Sequence, residues 1–402
     1  MLSRRSFLKT SSLITLSPWV PSIFNRTALA AGPTKDAPVL VVIQMDGGND
    51  GINTVVPYQD DAYARVRSKL RLKTDDLHKL SDQVALHHEM KAAAELFRDG
   101  RLSIVQGVGY PNPDRSHFTS MRIWESGYRD ELRLSEDGWL GRALDMSVNT
   151  TSEIPAADAV HVGEQETPLA LWGKRSTAIS MKDSADLVLD LDALNTHPLV
   201  TTSNDATLRD FAARQVASTL HNADAFVRRS QSDNTKTAKY PDSKLASQLK
   251  LVSQLIQGNS PARVFYAIQS GYDTHSSQLN THGRLLREFS TSLQAFLEDL
   301  RAAKLDDRVV VLAFSEFGRR VTENDSEGTD HGTAGPVFVA GMPVKGGLVG
   351  LTPSLTDLED GDLRVQTDFR QVYASILEQW FKIPSHKILG GPFEGLELFQ
   401  GA

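Results

Sequence analysis

The chain contains no cysteine among its 402 residues. This absence excludes disulfide bonds, thiolate metal ligands and cysteine nucleophiles, so any metal site must use oxygen and nitrogen ligands. Beyond its first 30 residues the chain also has no run of basic residues, and the formal net charge of the full sequence is −7. Binding to nucleic acid requires positive charge against the phosphate backbone, so the composition predicts no nucleic-acid partner.

The apolar run near the amino terminus, residues 13–24, is too short to span a membrane. It follows the basic segment SRRSFLK and precedes Ala28-Leu29-Ala30, which has the small-residue pattern of a cleavage site. The paired arginines resemble a twin-arginine export signal. We therefore expect residues 1–30 to be a removable signal peptide that the twin-arginine translocase recognises. The mature protein is expected to be periplasmic or secreted, without a transmembrane segment.

Predominantly apolar runs recur along the chain, at Val39–Met45, Val264–Ile268 and Val309–Phe314, and only Gln44 interrupts them. Such runs are typical of parallel strands that are covered on both faces. Segments with helical periodicity, such as 285–303, lie between them. The alternation predicts an α/β fold, a three-layer sandwich with a mostly parallel central sheet. We expect one such domain over residues 31–402, with a mobile polar linker near 231–242.

Metal-capable side chains follow each of these three strands, and glycines accompany them. The candidate ligands are Asp46, Asp273, His275, Glu316, Asp330 and His331. Because the carboxyl ends of parallel strands meet at one edge of the sheet, we expect these side chains to share one or two divalent ions. Their oxygen and nitrogen donors are compatible with Zn, Mn, Ca or Mg. A surface loop or a Gly-Asn-Asp turn would explain any one cluster, but three strand ends make coincidence the weaker explanation.

A further histidine, His282, lies just before the predicted helix 285–303. Two interpretations are open for it. It is either an additional metal ligand or a surface histidine at the start of that helix.

The segment GVGYPNPDRSHFTS contains the candidate catalytic residues Arg115, Ser116 and His117. Two prolines keep its first half non-helical, and a helix is predicted from Phe118 to Trp124. Helix amino termini bind oxyanions, an arginine adds a bidentate phosphate contact, and a serine hydroxyl is a nucleophile. The alternative is that Ser116 only caps the helix.

The runs QMDGGNDGINTVVPY, GVGYPNPDRSHFTS, GYDTH, FSEFGRRV and GTDHGTAGP resemble the bacterial DUF1501 proteins over nearly all of the mature chain. Those proteins are grouped with the alkaline phosphatase and sulfatase superfamily. The resemblance implies an alkaline phosphatase-like fold with divalent metals at the carboxyl ends of parallel strands. It also implies attack on phosphate or sulfate esters.

Carried over by position, Asp46 matches the first-strand metal aspartate of the superfamily. Asp273 and His275 stand near its Asp-x-x-x-His pair at a shorter spacing, and His331 resembles its last ligand histidine. Where relatives read Ser-Asp-His-Gly, this chain reads Ser-Glu-Phe-Gly, with Glu316 replacing the aspartate. The histidine of that motif is missing, and Asp330 is a replacement candidate for it.

The nucleophile position also departs from the superfamily, because Pro111 stands where sulfatases have the cysteine that matures into formylglycine. Ordinary sulfatase chemistry is therefore excluded. The leading hypothesis is a metal-dependent hydrolase of an anionic ester, phosphate before sulfate, acting on a small ester or an envelope polymer. Water is preferred over Ser116 as the attacking group, because capping explains the serine. The alternative is a catalytically inactive envelope protein for binding or assembly that retains the fold.

Overall fold

The computed structural model describes residues 37–128, 136–147, 159–176, 178–183 and 238–401. The expected signal peptide and most of the expected linker near 231–242 lie outside these ranges. Within them, the predicted apolar runs form strands. Val309–Phe314 is a strand with the predicted bounds, and each of its residues is buried. Val39–Asp46 and Val264–Ser270 extend the predicted runs by one and two residues, up to the start of the polar loops.

The strands of the described residues are numbered in chain order. They are β1 (Val39–Asp46), β2 (Val55–Val56), β3 (His78–Lys79), β4 (Ala85–Leu86), β5 (Leu102–Gly109), β6 (Ala159–Val162), β7 (Ala178–Met181), β8 (Val264–Ser270), β9 (Val309–Phe314), β10 (Gly335–Ala340), β11 (Gly347–Val349), β12 (Leu358–Glu359), β13 (Asp362–Leu363) and β14 (Thr367–Asp368).

The helices are numbered in the same way. They are α1 (Gly51–Thr54), α2 (Asp61–Val66), α3 (Lys91–Arg98), α4 (His117–Ser126), α5 (Trp139–Ser147), α6 (Lys244–Gln257), α7 (Gln278–Ala302), α8 (Phe369–Ser375) and α9 (His386–Leu389). Short 3₁₀ helices cover Thr74–Asp76, His88–Met90, Leu169–Leu171 and Asp306–Arg308, and a π-helical turn, Ile376–Trp380, continues α8.

The main sheet of the described residues has the strand order β11-β5-β10-β9-β1-β8-β6-β7, with β14 also paired to β5. β1 lies between β9 and β8 and is parallel to both. β10 runs antiparallel to its neighbours β5 and β9. The predicted α/β fold with a mostly parallel central sheet is therefore confirmed. Since β10 is reversed, the loop before it approaches the same edge at which β1, β8 and β9 end.

Two hydrophobic clusters cover the two faces of the sheet, and the residues of β1 alternate between them. Val41 and Ile43 belong to a cluster that includes buried residues of α3, α6 and α7. Leu40 and Val42 belong to a cluster that includes buried residues of α4, α5 and α8. This alternation is expected for a strand buried on both sides, and it produces the predicted three layers.

Two helix ends are informative about the sequence signals. The side chain of Asp368, an aspartate directly before an apolar helical pattern, caps α8 together with Gln371 in a capping box. Helix α7 begins at Gln278, seven residues before the predicted start, so His282 lies inside the helix. None of the described helices is long and apolar enough to cross a membrane.

Candidate metal centre

The candidate site lies where β1, β8 and β9 end, because each strand delivers a polar loop to the same edge. Asp273 and His275 follow β8, and Glu316 follows β9. His331 comes from the loop before β10, and His117 is the first residue of α4, which follows β5. Residues that are far apart in the sequence are thereby brought into contact.

Three histidines surround the carboxylate of Asp273. The Nε2 atoms of His275 and His331 lie 2.9 Å and 3.1 Å from its Oδ1 atom. The Nε2 atom of His117 lies 3.6 Å from its Oδ2 atom. One donor atom from each of His117, Asp273 and His331 lies within 4.8 Å of the other two. This spacing is short enough for these side chains to hold a single ion. His275 is not a member of this group, although its Nε2 atom lies close to Asp273 and His331.

The other ring nitrogen of each histidine contacts an oxygen acceptor. The Nδ1 atom of His117 lies 2.7 Å from Oε1 of Glu316, and that of His331 lies 2.8 Å from the carbonyl oxygen of Arg115. The Nδ1 atom of His275 lies 3.2 Å from Oδ1 of Asp330. In the tautomer that carries the proton on Nδ1, each ring donates a hydrogen bond to its oxygen, and the Nε2 lone pair is available to a cation beside Asp273. In the other tautomer, Nε2 donates to Asp273 itself.

The Nε2 atoms of His275 and His331 lie only 3.0 Å apart. Two nitrogen lone pairs at this distance repel each other unless a proton or a cation lies between them. A tetrahedral ion with Zn–N bonds of about 2.0–2.1 Å separates its ligand nitrogens by roughly 3.3 Å. The Nε2 atom of His117 is buried and has no hydrogen-bond partner among the described residues. These observations fit a divalent cation.

Arg319 fixes the position and charge of Asp273. Its guanidinium is fully buried and donates hydrogen bonds to Oδ1 of Asp273 at 2.6 Å and to the carbonyl oxygens of Gly48 and Thr329 at 2.7 Å each. Partial burial alone would raise the pKa of Asp273, but hydrogen bonds from Arg319 and His331 lower it to about 2. The carboxylate is therefore ionised at neutral pH.

Glu316, which the sequence suggested as a metal ligand, contacts the Nδ1 atom of His117, whereas the Nε2 atom of His117 faces Asp273. The side chain of Glu316 is fully buried. Its Oε1 accepts a hydrogen bond from the backbone N–H of Gly47 at 3.0 Å as well as from His117, and its Oε2 accepts one from Ser315 Oγ at 3.0 Å. The hydrogen bond to Glu316 raises the pKa of His117.

Asp46 and Asp330 also lie outside the group whose donor atoms converge within 4.8 Å. Asp46 accepts a hydrogen bond from Gln44 at 3.3 Å, and burial together with nearby Glu316 raises the pKa of Asp46. Asp330 is exposed and accepts from Asn324 and from the ring of His275. In this arrangement Asp330 orients His275, as Glu316 orients His117.

The candidate catalytic residues Arg115 and Ser116 lie beside the cluster, at the start of α4. The guanidinium of Arg115 forms an ion pair with the buried carboxylate of Asp362, and so it already has an anionic partner. Ser116 occupies the N-cap position and is exposed, but its side chain makes no capping hydrogen bond to this helix. Its backbone N–H donates to Asp114. Ser116 therefore takes the N-cap position that the capping explanation requires, but without the side-chain hydrogen bond of a capping serine.

Both interpretations of His282 differ from what the structure shows. His282 is fully buried in α7, and its Nε2 atom lies 2.9 Å from Oδ1 of Asn49. Burial lowers the pKa of His282 to about 4, so the ring is neutral and structural at physiological pH. Sequence reasoning also missed Arg319. The only signal for it was a polar position soon after the end of a buried strand.

Comparisons with known proteins describe what the chain is similar to. No curated protein matches it. Similar solved structures include the lipoteichoic acid synthase LtaP from Listeria monocytogenes, with a TM-score of 0.39 and 8% identity over 94% of this chain and 82% of that one. They also include the PsFucS1 sulfatase from Pseudoalteromonas sp., with a TM-score of 0.41 and 10% identity over 94% and 76%.

A protein in the alkaline phosphatase superfamily from Vibrio parahaemolyticus is similar with a TM-score of 0.35 and 10% identity over 80% of this chain and 65% of that one. Likeness at this level identifies neither a substrate nor an activity. The family described as "Protein of unknown function (DUF1501)" matches residues 37–390. This match spans most of the sequence and all of the candidate site, and the chain belongs to the DUF1501 family.

Proposed function

We propose that the protein is an exported, metal-dependent hydrolase of an anionic ester, with phosphate monoesters as the first substrate class and sulfate esters as the second. The observation that carries the proposal is the convergence of three Nε2 atoms on Asp273, with each Nδ1 atom held by an oxygen. Histidines that are oriented in this way are typical of metal ligands. His117, His275, His331 and Asp273 would hold the ion.

A divalent ion at this position would supply Lewis acidity to the ester oxygen and lower the pKa of water. The protein supplies the remaining parts of the site. Asp273 stays ionised because of Arg319, and the ring of His117 is fixed by Glu316. The exposed hydroxyl of Ser116 lies directly before His117 at the start of α4.

We assign the attack to Ser116, because its side chain has no capping role. In the first step, a bond forms between Ser116 Oγ and phosphorus while the bond to the leaving oxygen breaks. The alcohol then departs with the serine proton. In the second step, water cleaves the phosphoserine, releases phosphate and restores the hydroxyl.

The experiment is a panel of phosphate and sulfate esters, tested with and without added Zn²⁺ or Mn²⁺. We expect metal-dependent release of phosphate that Ser116→Ala reduces at least about 100-fold, with a labelled phosphoserine trapped in the wild type at low pH. Thr119→Ala is the control, because it changes a hydroxyl in the same helix. If Ser116→Ala keeps most of the rate, water attacks directly. If no ester is cleaved in the presence of metal, the protein is not a hydrolase.

A second candidate function is binding or assembly at the cell envelope without catalysis. The ion pairs of Arg115 with Asp362 and of Arg319 with Asp273 favour it, because both guanidinium groups have anionic partners in the absence of substrate. This alternative predicts metal binding without ester hydrolysis.

A further inference from the structure

The carboxylate of Glu316 is held in place by groups other than His117. The backbone N–H of Gly47 donates to it at 3.0 Å, and the hydroxyl of Ser315 lies 3.0 Å from its Oε2 atom and shares its one proton between this oxygen and the Met45 carbonyl. Ser315 Oγ also lies 2.6 Å from the carbonyl oxygen of Met45 and accepts from the backbone N–H of Asn49 at 2.9 Å. The ends of β1 and β9 therefore determine where this carboxylate lies.

His117 is oriented against this fixed carboxylate. Its Nδ1 atom lies 2.7 Å from Glu316 Oε1, and its ring packs against those of Phe317 and His331, with centroids 4.9 Å and 4.4 Å away. The opposite ring atom, Nε2, is buried, has no hydrogen-bond partner among the described residues and faces Asp273 at 3.6 Å. The ring thus has one satisfied nitrogen and one nitrogen that lacks a partner.

We propose that Glu316 is a positioning residue that makes His117 a metal ligand, so that the centre consists of three imidazoles and one carboxylate. The inference rests on the metal centre of the proposed function and deepens it, because the donor set determines the class of ion. Three nitrogen donors favour borderline ions such as Zn²⁺, whereas Mg²⁺ and Ca²⁺ prefer oxygen ligands. The site therefore selects Zn²⁺ over Mg²⁺ and Ca²⁺.

The test measures Zn²⁺ affinity by competition with a chromophoric chelator, on the full-length protein. Glu316→Ala and His117→Ala should each weaken Zn²⁺ binding about 10–100-fold. Glu316→Gln should recover most of the affinity. Its amide oxygen can still accept from His117, and its amide nitrogen can donate to Ser315 Oγ.

A double-mutant cycle separates positioning from general damage to the fold. If Glu316 acts through His117, then Glu316→Ala should have no further effect on affinity in the His117→Ala background. Asp299→Asn is the matched control, since this buried carboxylate accepts from Tyr240 and Ser253 between α6 and α7. It should leave Zn²⁺ affinity unchanged.

Each outcome distinguishes the inference from the proposed function. Wild-type protein that binds no divalent ion refutes the metal centre and the inference with it. Tight Zn²⁺ binding that neither His117→Ala nor Glu316→Ala weakens overturns only the inference. Binding of Ca²⁺ or Mg²⁺ more tightly than Zn²⁺ would also overturn the inference. So would additive losses of Zn²⁺ affinity in the double mutant. If the wild-type protein binds Zn²⁺ as expected but cleaves no ester, the proposed hydrolase activity is refuted, while the metal centre and the positioning role of Glu316 are unaffected.

Discussion

At the scale of single residues, the site is supported by a buried polar network beneath the loop that follows β1. Asp50 and Arg67 are both fully buried and form an ion pair of 2.6 Å. Gln278 donates to the same carboxylate, and Arg67 also donates to the carbonyl oxygen of Val321 at 2.8 Å. A buried ion pair of this kind costs desolvation, but removing one partner leaves an uncompensated charge.

We therefore expect Asp50→Asn to destabilise the protein by about 3–5 kcal/mol, because the buried guanidinium of Arg67 loses its counter-charge. Urea unfolding followed by circular dichroism measures the change. Asp61→Asn is the control, since Asp61 is exposed at the first position of α2 and should change stability by less than about 0.5 kcal/mol. Equal effects of the two substitutions would contradict the role of the pair.

The same carboxylate predicts how stability depends on pH. Burial alone would raise the pKa of Asp50, but Arg67, His282 and the hydrogen bonds lower it below 3.8. A lowered folded-state pKa stabilises the protein above the unfolded value near 3.8 and loses that contribution as the pH falls through the folded value. Stability should thus fall below about pH 4, and Asp50→Asn should flatten this part of the profile. An unchanged acid slope in the variant would contradict the assignment.

At the scale of elements, the tight loop after β1 positions both halves of the candidate centre. Gly47 has a φ of +118°, and a Cβ atom there would lie 2.5 Å from the backbone nitrogen of Asp273. Its own N–H donates to Glu316. The close approach of β1 and β8 at this point requires a residue without a side chain.

Gly47→Ala should therefore displace Asp273 or Glu316 and weaken Zn²⁺ binding at least about 10-fold. Chelator competition provides the measurement. Gly100→Ala is a suitable control, because Gly100 also has a positive φ but an added Cβ atom there meets nothing within 4 Å. Both variants place an alanine at a positive φ, and only Gly47→Ala adds a clash with neighbouring backbone atoms. Equal Zn²⁺ affinities would show that the loop does not position the ligands.

The elements also show what the sequence predicts well. The strands β1, β8 and β9 consist mainly of apolar residues and are followed by polar loops, so their bounds are visible in the sequence. The start of α7 is not visible in the sequence, because Gln278 and His282 contact buried polar partners and the first turns of the helix therefore lack apolar periodicity. Apolar patterns locate a helix only where its buried face is apolar.

The same reasoning predicts much of the candidate site, because Asp273 and His275 follow a strand and His331 precedes one. It does not distinguish a metal ligand from the residue that supports that ligand. Glu316 and His117 each carry a metal-capable group, and His117 becomes the proposed ligand only because Glu316 is fully buried and His117 alone belongs to the group of converging donor atoms. Arg319 is recognisable only through its contact with Asp273.

At the scale of the whole molecule, export is a separate proposal, because residues 1–30 lie outside the described ranges. The twin-arginine layout predicts that Arg4→Lys combined with Arg5→Lys blocks export and leaves a folded precursor in the cytoplasm. Fractionation and immunoblotting measure the distribution, and Lys9→Arg is the control. Normal amounts of the double mutant outside the cytoplasm would contradict twin-arginine export.

The metal content of the purified protein tests the central claim most directly. Elemental analysis of the wild type should find about one divalent transition-metal ion per chain, and His331→Ala combined with His275→Ala should lose it. The doubly substituted protein should keep its far-ultraviolet circular dichroism, since both side chains are at least partly exposed. A wild-type protein without bound metal that also fails to take up Zn²⁺ on titration, or a double variant that retains the ion, would contradict the account.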